Sequence, residues 1–205
     1  MLTLYYAPKT CALATHLALE HIAAPYEAIA LDFSQQAQRS PDYLQLNPKG
    51  RVPALQTERG ILTETPALLL YLCQRFPQAR LAPLDDDFAT AQMQAFNNYL
   101  SATVHVAHAH RVRGNRWADD PIALADMKRK VPQSMAEAMA LIETTMLRGP
   151  WVLGEHYSVA DMYLFTIATW LEGDDVDITK LPRVIAHRER MLQDPVVNRV
   201  LPLYA

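Results

Sequence analysis

Cysteine is scarce: only Cys11 and Cys73 occur in 205 residues. Two thiols do not make a disulfide framework. A basic excess is missing as well. The net charge is −3 and the isoelectric point about 6.1, unlike the strongly positive balance of a nucleic-acid-binding surface. The opening residues, MLTLYYAPKTC, lack a basic stretch followed by a long apolar run, so no signal peptide is visible. No apolar run approaches the roughly 20 residues of a bilayer helix. Internal repeats and low-complexity tracts are absent too. These absences argue against nucleic-acid and membrane partners and favour a reducing, cytoplasmic setting. What remains is ordinary globular composition, half hydrophobic and a fifth charged, long enough for one large domain or two small ones.

Leu2–Tyr6 is short, β-prone and bounded by Ala7-Pro8, which predicts a strand. From Cys11 to His21, Leu13, Leu17 and Ile22 recur at helical spacing. Tyr26–Leu31 reads as a second strand, and Tyr43–Leu46 as a short helical turn. Ala54–Thr57 and Ile61–Thr63 flank Arg59-Gly60 as a hairpin, and Glu64–Arg75 is a helix closed by Phe76-Pro77. The order βαβ then ββα predicts a small mixed sheet of thioredoxin-like α/β type over residues 1–80. The pattern changes after Pro83. An acidic linker, Leu84–Asp87, leads to helical periodicity over 88–113, 121–147, 158–171 and 181–192, punctuated by Pro150, Pro182 and Pro195. Residues 88–205 therefore read as an all-α domain.

The most informative segment is Asn47-Pro48-Lys49-Gly50-Arg51-Val52-Pro53, followed by Glu64-Thr65. Pro53 is poorly placed for an ordinary strand because it removes a ladder donor. A cis Val52–Pro53 bond would turn the Val52 N–H and C=O outward to pair with an extended peptide. Glu64-Thr65 precedes the apolar helix, where hydroxyl and backbone N–H groups can hold a carboxylate. Together these features suit a small, acidic, extended peptide.

Cys11 lies between strand and helix, where the helix dipole and free N–H groups stabilise thiolate. The second position of a C-x-x-C motif is Ala14, so redox chemistry at Cys11 needs an outside thiol. Cys73 reads as core. In Tyr157–Met162, Ser158 and Asp161 have the spacing of a capping box and Tyr157 and Met162 that of a hydrophobic staple, a folding signal that needs no ligand. The run from His105 to Trp117 holds three histidines. His105 and His108 share a helix face, and His110 lies on another. A metal needs a full converging ligand set, so no metal is expected. Two readings stay open: a solvated positive helix end, or a pocket floored by His105, His108 and Trp117 in which Arg111 or Arg113 holds an anionic group.

Leu4–Pro8 with Cys11 and His16, the NPKGRVP run, Thr63-Glu64-Thr65 and Ser158–Phe165 resemble the bacterial beta-class glutathione transferases, essentially end to end. The resemblance implies a thioredoxin-like half that binds glutathione as co-substrate, a helical half that receives a hydrophobic or aromatic electrophile, and a homodimer. It places Cys11 beside the glutathione sulfur, the Val52 backbone on the cysteinyl moiety with Pro53 cis, and Glu64 and Thr65 at the γ-glutamyl end. His105 matches a pocket-lining His, and Asn98 a residue near the subunit interface in the same binding region. Thr10 is a second candidate hydroxyl donor to the sulfur, and Tyr5 or Tyr6 a lesser one. The chain departs from the class at Ala12, often Ser there, at Thr65, often Gly or Ser, and at Val106, where a Lys commonly follows the pocket His. The implied activity is transfer of glutathione thiolate to an electrophile, a detoxifying reaction. A Cys11 mixed-disulfide thiol-transferase and a non-catalytic glutathione-binding protein are the alternatives.

Overall fold

The computed structural model describes all residues 1–205. Met1–Ala91 and Leu192–Ala205 form one compact unit, and Gln92–Met191 the other.

The first unit is built on β1 (Leu2–Tyr6), α1 (Ala12–Ile22), β2 (Tyr26–Ala30), α2 (Pro41–Leu46), β3 (Ala54–Thr57), β4 (Gly60–Thr63) and α3 (Thr65–Arg75). The sheet order is β2-β1-β3-β4, with β1 parallel to β2 and antiparallel to β3, and β3 antiparallel to β4. Alternation along β1 buries Leu2, Leu4 and Tyr6, as the two-residue period of a strand requires. Every residue of α1 from Ala12 to Leu19 is buried, because α1 packs against α3 and also against a short C-terminal helix, α9 (Pro195–Val200). A helix apolar on all sides belongs inside a fold. Leu4, Leu17, Leu55, Leu68, Leu69 and Leu72 have no exposed surface. Each such side chain contributes about 1.5–3 kcal/mol by leaving water.

Two differences from the sequence reading concern the chain end. The helix α9 was not anticipated, although Asp194, whose carboxylate accepts the Val196 N–H at 2.8 Å, caps it ahead of Pro195. Leu192–Ala205 also packs within the first unit rather than with the helices. The physical reason is a row of contacts onto α1, in which His21 Nε2 meets Asp194 Oδ2 at 3.0 Å and Arg199 meets Glu20 at 3.5 Å.

The predicted helix over 88–113 is α4 (Asp87–Tyr99), a π-helical turn at Leu100–Val104, and α5 (His105–Arg113). It is followed by α6 (Pro121–Leu141), α7 (Val159–Ala168) and α8 (Pro182–Met191). The helix α7 is buried throughout, and its start is the polar centre of the helical unit. The Asp161 carboxylate accepts the Ser158 N–H at 2.8 Å and hydroxyl at 3.0 Å, the Val152 N–H at 2.7 Å, and a contact from His187 Nε2 at 3.0 Å. Glu143 does similar work for α8, accepting the Arg183 and Val184 N–H groups at 2.9 Å each. An acidic group at a helix start satisfies orphan donors and complements the dipole.

Replacing Asp161 by Ala strands several buried donors at once. Urea unfolding of Asp161→Ala should show a loss of about 3–5 kcal/mol, against about 1 kcal/mol for Ser158→Ala, which removes only a cap. Equal losses in the two variants would show that Asp161 acts as a cap alone.

Candidate functional site

The loop after α2 is tied by its own polar groups. Ser40 caps α2 by accepting the Tyr43 N–H at 3.2 Å. Asn47, 2% exposed, then organises the turn: its side-chain oxygen accepts the Lys49 N–H at 3.2 Å, its backbone oxygen the Gly50 N–H at 2.9 Å, and its amide donates to the Arg51 carbonyl at 2.8 Å. The Tyr43 hydroxyl donates to that same carbonyl at 2.7 Å. Gly50 sits at φ +58°, and a Cβ there would lie 2.9 Å from the Gln38 backbone oxygen, so no side chain fits. With Arg51 anchored, the Val52–Pro53 bond is cis, as the family resemblance implies. No group of the chain accepts the Val52 N–H.

The Val52 carbonyl meets the thiol. Cys11 Sγ lies 3.7 Å from Val52 O, the sulfur donating. Cys11 is the N-cap of α1 and 8% exposed. A carbonyl oxygen has two lone pairs, so Val52 O can keep this contact and still accept a ligand N–H. Thr10, expected as a hydroxyl donor to sulfur, gives its proton to the Ala7 carbonyl at 2.7 Å and receives the Ala12 N–H at 3.4 Å. The Tyr5 hydroxyl donates to Gln56 at 3.1 Å, and Tyr6 is buried. Burial alone pushes the Cys73 thiol up to about 12, which leaves it inert.

The third element is the junction of β4 with α3. Glu64 has φ 72° and ψ 117°, a conformation that side-chain-bearing residues rarely adopt and that costs of order 1–3 kcal/mol. Lys49 Nζ holds its carboxylate at 2.5 Å and the Thr63 hydroxyl at 2.6 Å. Thr65, the first residue of α3, is 4% exposed, where the leading N–H groups have no partner inside the helix. Cys11, Val52, Pro53, Glu64 and Thr65 thus belong to one unit whose sheet fixes their spacing. The role of Lys49 was not assigned from sequence; its place in the motif was the only signal.

The histidine run of the helical unit has partners that spacing did not show. His108 Nδ1 meets Asp174 Oδ2 at 2.7 Å, and Asp174 is fully buried with Oδ1 unpartnered. Trp170 stacks on His108 with centroids 4.3 Å apart and lies 5.1 Å from His105. Trp117, expected beside those histidines, packs instead on His110 at 4.5 Å, because α5 ends at Arg113 and the chain turns. Arg111 pairs with Asp175 at 2.9 Å, and Arg113 meets His105 Nε2 at 3.2 Å. Both expected anion-holding arginines therefore already have partners. Asn98 is exposed on α4, its carbonyl accepting the Ser101 hydroxyl.

A thioredoxin-like sheet with a cysteine at the start of its first helix, joined in one chain to an all-helical unit, defines a two-part class of proteins. Residues 1–74 match the family model for the glutathione S-transferase N-terminal domain, and residues 114–190 that for the C-terminal domain. A glutathione transferase homologue from Sulfitobacter, crystallised with bound glutathione, is 46% identical; the match covers 98% of this chain and 96% of that one, with a TM-score of 0.94. The beta-class glutathione S-transferase of Sphingomonas chungbukensis is 29% identical, with 99% and 98% covered and a TM-score of 0.85. Glutathione S-transferase GstA of Escherichia coli O157:H7 is 26% identical, with 97% and 96% covered. The chain belongs to the glutathione S-transferase family.

The strained Glu64 backbone separates stability from binding. Glu64→Gly should hold or raise the melting temperature, since glycine tolerates this φ, while weakening glutathione binding through loss of the carboxylate. A melting temperature lowered by several degrees would refute the strain assignment.

Proposed function

We propose that this glutathione transferase binds reduced glutathione along the Val52 edge, with the cysteinyl backbone on the Val52 N–H and C=O, the γ-glutamyl end at Glu64 and Thr65, and the sulfur beside Cys11. The observation that carries this reading is the contact of the Val52 carbonyl with the Cys11 sulfur, 3.7 Å apart, beside the cis Val52–Pro53 bond. Donors fixed in advance near a sulfur favour the thiolate that attacks. The S–C bond then forms as the electrophile gives up a leaving group or takes up the electron pair and a proton.

The electrophile is a flat, apolar or aromatic small molecule, held in the helical unit near the face made by Trp170, His105 and His108. His105 and His108 are half-buried there, with Trp170 packed behind them. Asp174 fixes the His108 imidazole's orientation. The biological role is detoxification in the cytoplasm, where a reduced thiol such as Cys73 persists. No helix is long and apolar enough to cross a membrane.

Calorimetry with reduced glutathione checks the binding half. Thr65→Ala removes a hydroxyl donor to a carboxylate, a loss of about 2 kcal/mol, so Kd should rise roughly thirtyfold. Cys11→Ala should lower kcat/KM for conjugation about tenfold. Parental binding and turnover in both variants would remove these residues from the site.

The chain works as a homodimer in this proposal. Phe88, at the start of α4, is 72% exposed, and burying large apolar side chains is what a subunit interface does. Sedimentation at micromolar concentration should give a species twice the monomer mass; a 23.1 kDa species alone would refute it.

A further inference from the structure

The chain end carries an interaction that the transfer reaction as proposed does not use. Tyr204, the penultimate residue, is 6% exposed, and its hydroxyl meets His16 Nδ1 at 3.2 Å. The Tyr204 carbonyl accepts the Lys9 N–H at 3.2 Å. These two contacts bracket Cys11, Lys9 lying two residues before it and His16 five residues after it on α1. Lys9 has φ 56°, a left-handed conformation that is costly for a side-chain-bearing residue. Such a conformation persists only where the surroundings impose it, and here the hydrogen bond to Tyr204 is one of the constraints. The rings pack as a cluster: Tyr204 lies 5.2 Å from Tyr6, and His16 lies 5.2 Å from Tyr6 and 5.6 Å from Tyr26.

We infer that Tyr204 is a positioning residue for Cys11: the C-terminal segment holds the Pro8–Thr10 loop and the first turns of α1 so that the sulfur stays against the Val52 carbonyl. The hold is geometric rather than electrostatic. Burial lowers the His16 imidazole to about 4, against an opposing pull from Glu20, so the ring is neutral near pH 7. Burial also raises the Tyr204 phenol, with smaller contributions from Tyr6, Cys11 and Tyr26. The groups around the pair are Tyr6, Cys11, Tyr26 and Glu20, and Glu20 is engaged by the Tyr26 hydroxyl at 2.5 Å. Neither member of the pair therefore supplies a charge to the sulfur. The other anchors of the segment, His21–Asp194 and Arg199–Glu20, lie farther along α1 and set its general path.

The role of this positioning in catalysis rests on the proposal that Cys11 sits beside the glutathione sulfur, so the test has an arm that needs no glutathione. Iodoacetamide labelling of Cys11 in the ligand-free full-length protein, followed by peptide mass spectrometry, reports the exposure and mobility of the sulfur directly. Tyr204→Phe keeps the ring and removes the hydroxyl; His16→Gln removes the same hydrogen bond from the other side. Each should speed labelling about threefold or more, and the double variant should add little, because one interaction is lost. In the conjugation assay both single variants should raise the KM for glutathione severalfold while kcat changes less than twofold. A merely structural role would lower the melting temperature without this split. Parental labelling rates in both single variants would overturn the inference. Faster labelling with an unchanged KM would uphold the positioning of Cys11 and place it outside the glutathione site.

Discussion

The Arg51 carbonyl is the fixed point on which the binding edge depends. It accepts from the Tyr43 hydroxyl at 2.7 Å and from the Asn47 amide at 2.8 Å, so the peptide unit before Val52 is held by two side chains of the preceding helix and turn. A doubly bonded carbonyl cannot rotate freely. The cis bond that follows sends β3 into the sheet with Pro53 and Ala54 buried while the Val52 N–H stays unclaimed. The sheet then carries this geometry to β1 through the pairing of Ala54 with Tyr5, and β1 leads within a few residues to Cys11. The carbonyl and the open N–H are thus placed by backbone, with the Cys11 side chain reaching the carbonyl.

Much of this was legible because it is local. Pro53 after a β-branched residue marks a break in the ladder, and Arg59-Gly60 between two short apolar runs marks a hairpin. The element order, βαβ then ββα, followed from two-residue and helical periodicities, whereas the strand order in the sheet came from the structure. Ser158 and Asp161 announced a cap, and the structure has it. What spacing could not show was everything that depends on long-range partners. That Trp170 rather than Trp117 meets His105 and His108 follows from where α5 stops and where the segment after α7 returns. Asp174 is 66 residues from His108, and no periodicity links them. The arginines that looked available for an anion are engaged by Asp175 and His105 for the same reason.

The two units manage buried polarity differently. The helical unit concentrates it: Asp161, Glu143 and His187 are buried among apolar helices, and their donors and acceptors are used on helix starts. The first unit disperses it along the edges of α1, in aromatic hydroxyls and ring nitrogens that remain neutral. In the helical unit a buried carboxylate is tolerated because several donors converge on it. The cluster around His16 avoids the cost of a buried charge by burying an imidazole that stays unprotonated.

The hydrogen bond from Lys9 to Tyr204 spans nearly the whole chain. The first unit is discontinuous in sequence, with the helical unit inserted between Ala91 and Leu192. The α/β unit is therefore closed across the whole length of the inserted helices. The packing of α1 against α9 joins segments on either side of that insertion. Contacts of such long sequence separation are slow to form. Closure of the C-terminal segment over α1 is therefore a late event in folding, after the local sheet and helices.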